Sequence, residues 1–192
     1  MKQKVTIEQL AQTGLRLFKE RGYENVSVMD ICDDLGITKP TFYRFVPSKE
    51  ALVSHFYQGA DEHLGQTMAQ LELEGKFVEA IWEGLVCVIH RSKELGRDLY
   101  SKYLSYCLRI RKYPNRMAMD AQAMIVDAIR MAQDAGQILN MGDPEDLFVA
   151  LVTCCLGTGC SWTFTAEPLD SMELFKKYFK IILRVKKSEE AA

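Results

Sequence analysis

Apolar residues recur at three- and four-residue spacing along most of this chain, and no stretch keeps the two-residue alternation of a strand. That rhythm predicts an all-α protein. Thr6 with Gln9 forms a capping box that opens a first helix, which Gly22 closes. Ser27 with Asp30 opens a second, in which Val28, Ile31 and Leu35 share one apolar face up to Gly36. Thr38 caps a third, about Lys39 to Phe45, with Pro40 in its first turn where a missing N–H costs nothing. Ser48 caps the next. Further breaks fall near Gly75, near Gly96, at Tyr113-Pro114-Asn115, at Asn140 to Pro144, and at Glu167-Pro168, which predicts five or six helices after Ser48.

Residues 27–49 carry the most specific pattern. Two short helices flank a glycine turn, and steep helix crossings of this kind are how a helix-turn-helix is written. Gly36 accepts the left-handed C-cap that a tight turn needs. Cys32, Ile37 and Phe42 are expected to pack the turn from within. Thr41, Tyr43 and Arg44 are left for the outer face, and hydroxyls and a guanidinium suit phosphate oxygens and base edges. Lys49 stands in the first turn of a helix, against the dipole. Either it is a solvated lysine, or it and the free N–H groups together hold an external anion such as a DNA phosphate.

With this spacing, residues 6–53 resemble the N-terminal domain of TetR-family transcriptional regulators. The residues that carry the resemblance are Leu17-Phe18, Gly22-Tyr23, Ser27-Val28, Asp30-Ile31, Leu35 to Lys39, Thr41-Phe42-Tyr43, Ser48-Lys49-Glu50 and Leu52. The resemblance implies a three-helix DNA-binding domain whose third helix enters the major groove. It places Ser27, Thr38, Thr41, Tyr43 and Lys49 on phosphate-contacting positions, and Lys39, Pro40 and Arg44 on or near the base-reading surface. Three positions depart from the family pattern. Gly14 stands where alanine is usual, a loss of roughly 1 kcal/mol of helix propensity. Val46 stands for phenylalanine, and Phe45 for tyrosine or histidine.

Residues 1–48 are therefore expected to form the DNA-binding domain, and residues 49–192 a larger helical domain for effector binding and dimerisation. The last two helices, about 144–165 and 170–186, read as a homodimer interface. The final helix is apolar on two sides: Leu174, Tyr178, Ile181, Ile182 and Val185 on one, Phe175, Phe179 and Leu183 on the other. One side fits the domain's own core; the other fits the same helix pair in a second copy, unless a larger monomer buries both. Gly157 and Gly159 within the preceding helix point to close packing. A dimer implies a palindromic operator in double-stranded DNA.

In the middle of the chain, Met117, Ala121, Met124, Ala128, Met131 and Ala135 alternate large and small along one stripe, which is either plain core or an adaptable wall. Trp82, Tyr103, Tyr106, Cys107, Met124 and Trp162 are the candidate lining of a small-molecule effector site, and the family's effectors are often lipophilic. Glu83, Cys87, His90 and Glu94 share a helical stripe that reads as a metal site or, more plainly, as a semi-buried face.

Composition narrows the rest. At 48% apolar, 192 residues build a core without disulfide staples. The net charge of −2 argues against nonspecific coating of nucleic acid; residues 1–55 carry +1 and the remainder −3. Residues 1–20 lack a signal-peptide pattern and no run of 18 uncharged apolar residues is read, so a soluble cytoplasmic protein is expected. The six cysteines include no CxxC and no zinc-finger spacing. They read as small hydrophobes, and no cofactor or metal is expected. The three histidines accompany no triad signature, so the chain reads as a regulator and not an enzyme. The reading is a ligand-responsive DNA-binding regulator, most simply a repressor released by its effector. The alternative is a regulator switched by cysteine oxidation or by a metal.

Overall fold

The computed structural model describes residues 5–58, 63–111, 119–165 and 170–186. Among these residues the regular structure is entirely helical: α1 (Ile7–Arg21), α2 (Val28–Leu35), α3 (Lys39–Phe45), α4 (Lys49–Gln58), α5 (Leu64–Leu73), α6 (Phe77–Leu95), α7 (Arg97–Ile110), α8 (Met119–Asp134), α9 (Pro144–Phe164) and α10 (Ser171–Leu183). The breaks predicted at Tyr113-Pro114-Asn115 and Glu167-Pro168 lie outside the described residues, as does Met117. Among the described residues seven helical segments follow Ser48, where five or six helices are expected; α4 and α5 are two of these segments where periodicity predicts one helix.

The helix ends follow their capping residues. Thr6 and Gln9 close a reciprocal capping box at α1, and Ser27 and Asp30 do the same at α2. Gly36 adopts the left-handed conformation at φ 62°, and the Ile37 N–H then bonds back to the Cys32 carbonyl at 2.9 Å. Thr38 accepts from the Thr41 N–H at the head of α3. Asp143 and Asp170 cap α9 and α10.

Two compact units form. The first comprises residues 1–59 and 95–115, so α7 joins α1–α4. Leu10, Leu17, Ile31, Phe42, Leu52, Tyr100 and Tyr103 are fully buried there. Helix α4 packs against both α1 and α7. Gly14 acquires a reason here: a Cβ at that position would meet Leu52 Cδ1 at 2.8 Å. The propensity lost in α1 is the condition for α4 to approach it so closely.

The second unit comprises residues 60–94 and 116–192. Its core is built on Met68, Ile81, Leu85, Ile125, Ile129, Leu151, Phe175 and Leu183. Gly84 on α6 admits α8, since a Cβ would lie 2.7 Å from Ile125 Cγ1. The segments after α8 and α10 meet as a short antiparallel bridge between Ile138 and Val185.

Helices α9 and α10 are apolar on two sides, as their sequence predicts. Leu147, Leu151, Cys155, Phe175, Phe179 and Leu183 are buried. On the opposite side Val149 is 58% exposed and Ile181 59%, with Tyr178 also exposed. At Gly157 a Cβ would meet nothing within 4 Å among the described residues, so that face of α9 is open to them. Residues 147–165 contain no charged side chain. An 18-residue stretch of α9 has a mean hydropathy of 1.7, and the helix is long and apolar enough to cross a membrane by length and composition alone. This corrects the expectation that no such run occurs. Thr and Ser interrupt the run in sequence, but they satisfy themselves within the helix: Thr158 donates to the Cys155 carbonyl and Thr163 to that of Cys160.

Candidate nucleic-acid interface

Helix α3 presents a polar face. Lys39, Pro40, Tyr43 and Arg44 are exposed on it, as is Thr38 at its cap, while Thr41 is half-buried. The inward side is held by Phe42, fully buried, whose ring meets that of Tyr43 edge-on at 5.3 Å. Tyr43 is 52% exposed, so its hydroxyl is carried outward by a ring braced at its base. The Arg44 guanidinium lies 5.6 Å from the centre of the Phe45 ring, which holds the cation beside the helix without neutralising it. Thr38 and Thr41 share a hydroxyl–hydroxyl bond of 3.0 Å. Each retains capacity for a further partner. Ser27 is exposed at the cap of α2, where its hydroxyl donates to Asp30.

Lys49 stands apart from this group. Its Nζ donates to the carbonyls of Tyr23 and Val26, both at 2.8 Å. It also lies 4.0 Å from the centre of the Tyr23 ring. Set against the expectation that this ammonium, with the free N–H groups of α4, holds an external anion, the structure shows it bonded within the chain. Its donors are turned inward onto the α1–α2 loop, where the Val26 carbonyl and the Tyr23 carbonyl, which also accepts from the Val26 N–H at 3.4 Å, lie within reach.

Sequence reasoning also missed one wall of the site. An open groove runs beside α3, lined by Thr38, Thr41, Arg44 and Phe45 on one side and by Gln9, Gln12 and Thr13 of α1 on the other. The signal is faint in sequence: three polar residues on one face of α1, which any solvated helix has. Across the groove Arg16 forms a two-pronged pair with Asp34, at 2.8 Å to each oxygen. The same guanidinium also bonds Glu20 at 3.0 Å, so one cation is shared between two carboxylates.

The six candidate effector-lining residues fall into two groups. Trp82, Met124 and Trp162 belong to the second unit. Trp82 stacks on Phe175 with ring centres 5.7 Å apart and meets Phe179 edge-on at 5.2 Å. Met124 is half-buried against the same core, and Trp162 is half-buried on α9. Tyr103, Tyr106 and Cys107 belong to the first unit, on α7. Tyr103 and Cys107 are buried, while Tyr106 lies beneath the Arg109 guanidinium at 5.5 Å.

All six cysteines are free thiols. Burial pushes the Cys155 thiol up to about 12, and burial also raises Cys32, Cys107, Cys154 and Cys160. A raised thiol pKa lowers the thiolate fraction and so the reactivity. Among the described residues no group of three or more His, Cys, Asp or Glu is arranged to hold a metal ion.

Residues 6–56 match the bacterial regulatory proteins of the tetR family. Over 52 residues the chain is 44% identical to the uncharacterized HTH-type transcriptional regulator YuxN of Bacillus subtilis (strain 168). That match spans 27% of this chain and only 16% of the relative, so it covers a small part of each. Solved structures extend it to the whole fold. Thermus thermophilus FadR, a TetR-family transcriptional repressor solved in complex with lauroyl-CoA, is similar over 97% of this chain and 100% of its own, at 18% identity and a TM-score of 0.70. A structure concerned with control of antibiotic production by bacterial hormones matches over 94% of this chain and 97% of its own, at 22% identity and a TM-score of 0.62. A TetR/AcrR-family regulator from Thermobifida fusca YX-ER1 matches over 95% and 98%, at 17% identity and a TM-score of 0.56. At these identities the likeness establishes the fold.

Proposed function

We propose that this chain, whose residues 6–56 match the bacterial regulatory proteins of the tetR family, is a dimeric repressor released from a palindromic operator by a small lipophilic effector. The observation that carries the reading is the outward face of α3. Thr38, Lys39, Tyr43 and Arg44 are exposed together on a helix whose other side is locked by Phe42. Hydroxyls and cations on one rigid helix match the chemistry of the major groove, where Arg and Lys read guanine and hydroxyls hold phosphate. Lys39, Pro40 and Arg44 are the sequence readers. Ser27, Thr38, Thr41 and Tyr43 hold the backbone in register.

Residues 1–48 serve as the DNA-binding part and residues 49–192 as the effector-binding and dimerisation part. Two-fold pairing of α9 and α10 is supported by the exposed apolar residues Val149, Tyr178 and Ile181 beside the open backbone at Gly157. The aromatic cluster of Trp82, Phe175 and Phe179 supports an apolar effector. So does the acyl ligand held by FadR on the same fold. For release to occur the effector must prefer the DNA-incompetent arrangement, since equal affinity for both shifts nothing. Action on chromosomal DNA places the protein in the cytoplasm.

Purified protein incubated with sheared genomic DNA tests this directly. The expected result is selective retention of a few fragments sharing an inverted repeat, and their release by acyl-chain or other lipophilic compounds. Uniform retention of all fragments, or none, would count against it.

A further inference from the structure

The loop joining α1 to α2, residues 22–26, leads directly into Ser27 and so sets where α2 begins and, through the turn, where α3 lies. This loop is gripped from two helices. From α4, the Lys49 ammonium takes the Tyr23 and Val26 carbonyls at 2.8 Å each. From α7, Lys102 pairs with Glu24. The Tyr23 ring lies between the two ammonium groups, 4.0 Å from Lys49 and 5.4 Å from Lys102. Its hydroxyl is buried beside Glu50 without a hydrogen bond of normal geometry, and Glu50 in turn meets Arg109 of α7 at 3.5 Å. An aromatic face flanked by two cations, with both cations also held by loop atoms, has few ways to shift without losing several contacts together.

We propose that Lys49 and Lys102 are positioning residues for DNA binding: together they clamp the Tyr23–Val26 loop, so that α4 and α7 both set the placement of α2 and α3 while neither lysine touches DNA. The inference rests on the regulator reading. It departs from it in removing Lys49 from the phosphate contacts and in giving α7 a direct hold on the reading head. A cation that meets phosphate and a cation that positions the domain differ in a measurable way. Only the first releases counterions, so only its loss changes the slope of log K against log salt.

The test measures binding to a fragment selected by the wild-type protein, from about 50 to about 200 mM salt, where each neutralised phosphate contributes about 0.9 to the slope. Lys49→Met and Lys102→Met are expected to bind about tenfold more weakly, the scale of one lost charge-assisted hydrogen bond, with the wild-type slope. Arg44→Ala supplies the contrast: loss of a base-reading side chain relaxes sequence preference, whereas loss of a positioning lysine weakens binding without changing which fragment is preferred. A reduced slope in Lys49→Met would overturn the proposal, as would wild-type affinity in both lysine variants. If Lys49→Met does not fold, Lys102→Met and Glu24→Gln carry the same test from the half-exposed side of the clamp. Amide hydrogen exchange provides an arm without DNA: residues 23–31 should exchange faster in Lys102→Met, and unchanged rates would overturn the clamp. Should the wild-type protein select no fragment, the regulator reading fails while the exchange arm still decides the clamp.

Discussion

The Lys49 ammonium donates to the Tyr23 carbonyl at 2.8 Å, across 26 residues of chain. A second bond of the same length reaches Val26. The start of α4 is thereby fastened to the loop that precedes the helix-turn-helix. In a half-buried setting, bonds from an ion to a backbone carbonyl are among the stronger ones a small domain makes.

Lys49→Met keeps the length of the side chain and removes the charge. It should lower the stability of the first unit by about 2–3 kcal/mol, since two charge-assisted bonds are lost and the Tyr23 carbonyl keeps only its bond from the Val26 N–H. Urea unfolding followed by circular dichroism checks the value. A loss below about 0.5 kcal/mol, the range of neutral surface substitutions, would mean that the two bonds contribute little.

Two glycines should resist replacement by alanine even though alanine is the better helix former. Gly84→Ala would bring a Cβ to 2.7 Å from Ile125 Cγ1 and 2.8 Å from its Cδ1, both in the core. Overpacking of this kind costs about 1–3 kcal/mol, more than the roughly 1 kcal/mol gained in propensity. Gly14→Ala comes within 3 Å of Leu52 Cδ1 alone, the end of a side chain, with Ile31 and Phe18 at ordinary contact distance, and should be the milder of the two. Denaturant midpoints of the two variants rank them.

Ile181→Glu places a charge on the outward side of α10. If that side is covered by a second copy, the substitution should convert a dimer to a monomer while helicity is retained. Light scattering at micromolar concentration reads the mass. An unchanged mass would move the interface elsewhere.

Tyr43→Phe removes one exposed hydroxyl and leaves its ring braced on Phe42. Stability should stay within about 0.5 kcal/mol of wild type, as for other exposed changes. Operator affinity should fall severalfold, measured by fluorescence anisotropy.

Acid should loosen the first unit through its paired carboxylates. The hydrogen bond from Lys102 holds Glu24 below the ordinary carboxylate range, and the bond with Ser27 does so for Asp30. Burial pushes Glu50 up, but bonds with Ser48, its own N–H and Arg109 outweigh it and leave that carboxyl lowered as well. A carboxyl with a depressed folded pKa contributes stability above its unfolded value and loses it as pH falls through the folded one. The melting temperature should therefore hold from pH 7 to about 5 and drop below about 4. Glu24→Gln should flatten the acid limb, and an unaltered limb would exclude the Glu24 pair as a contributor.

Much of the DNA-binding part was legible from local chemistry. The bounds of α3, the caps at Thr6, Ser27 and Thr38, the left-handed turn at Gly36 and the inward Phe42 all depend on residues within a few positions of one another. The groove wall of Gln9, Gln12 and Thr13 was not, because polar residues on one face of a helix do not say which helix lies opposite. The effector-lining candidates were chosen by residue type, and the fold places α7 with the first unit and Trp82, Met124 and Trp162 with the second. Nothing in the local spacing of α7 marks that division.

The sequence by itself determined the helical class, the helix-turn-helix, the outward chemistry of α3 and the two-sided character of α10, since each follows from periodicity and from caps acting over one or two turns. Only the tertiary structure decided what Gly14 is for and where Lys49 points. A glycine is a defect until the side chain opposite it is known, and a lysine is a free cation until two carbonyls 23 and 26 residues away come within 2.8 Å. Contacts at that separation are set by how helices cross, and periodicity within a helix carries no record of its crossing partner.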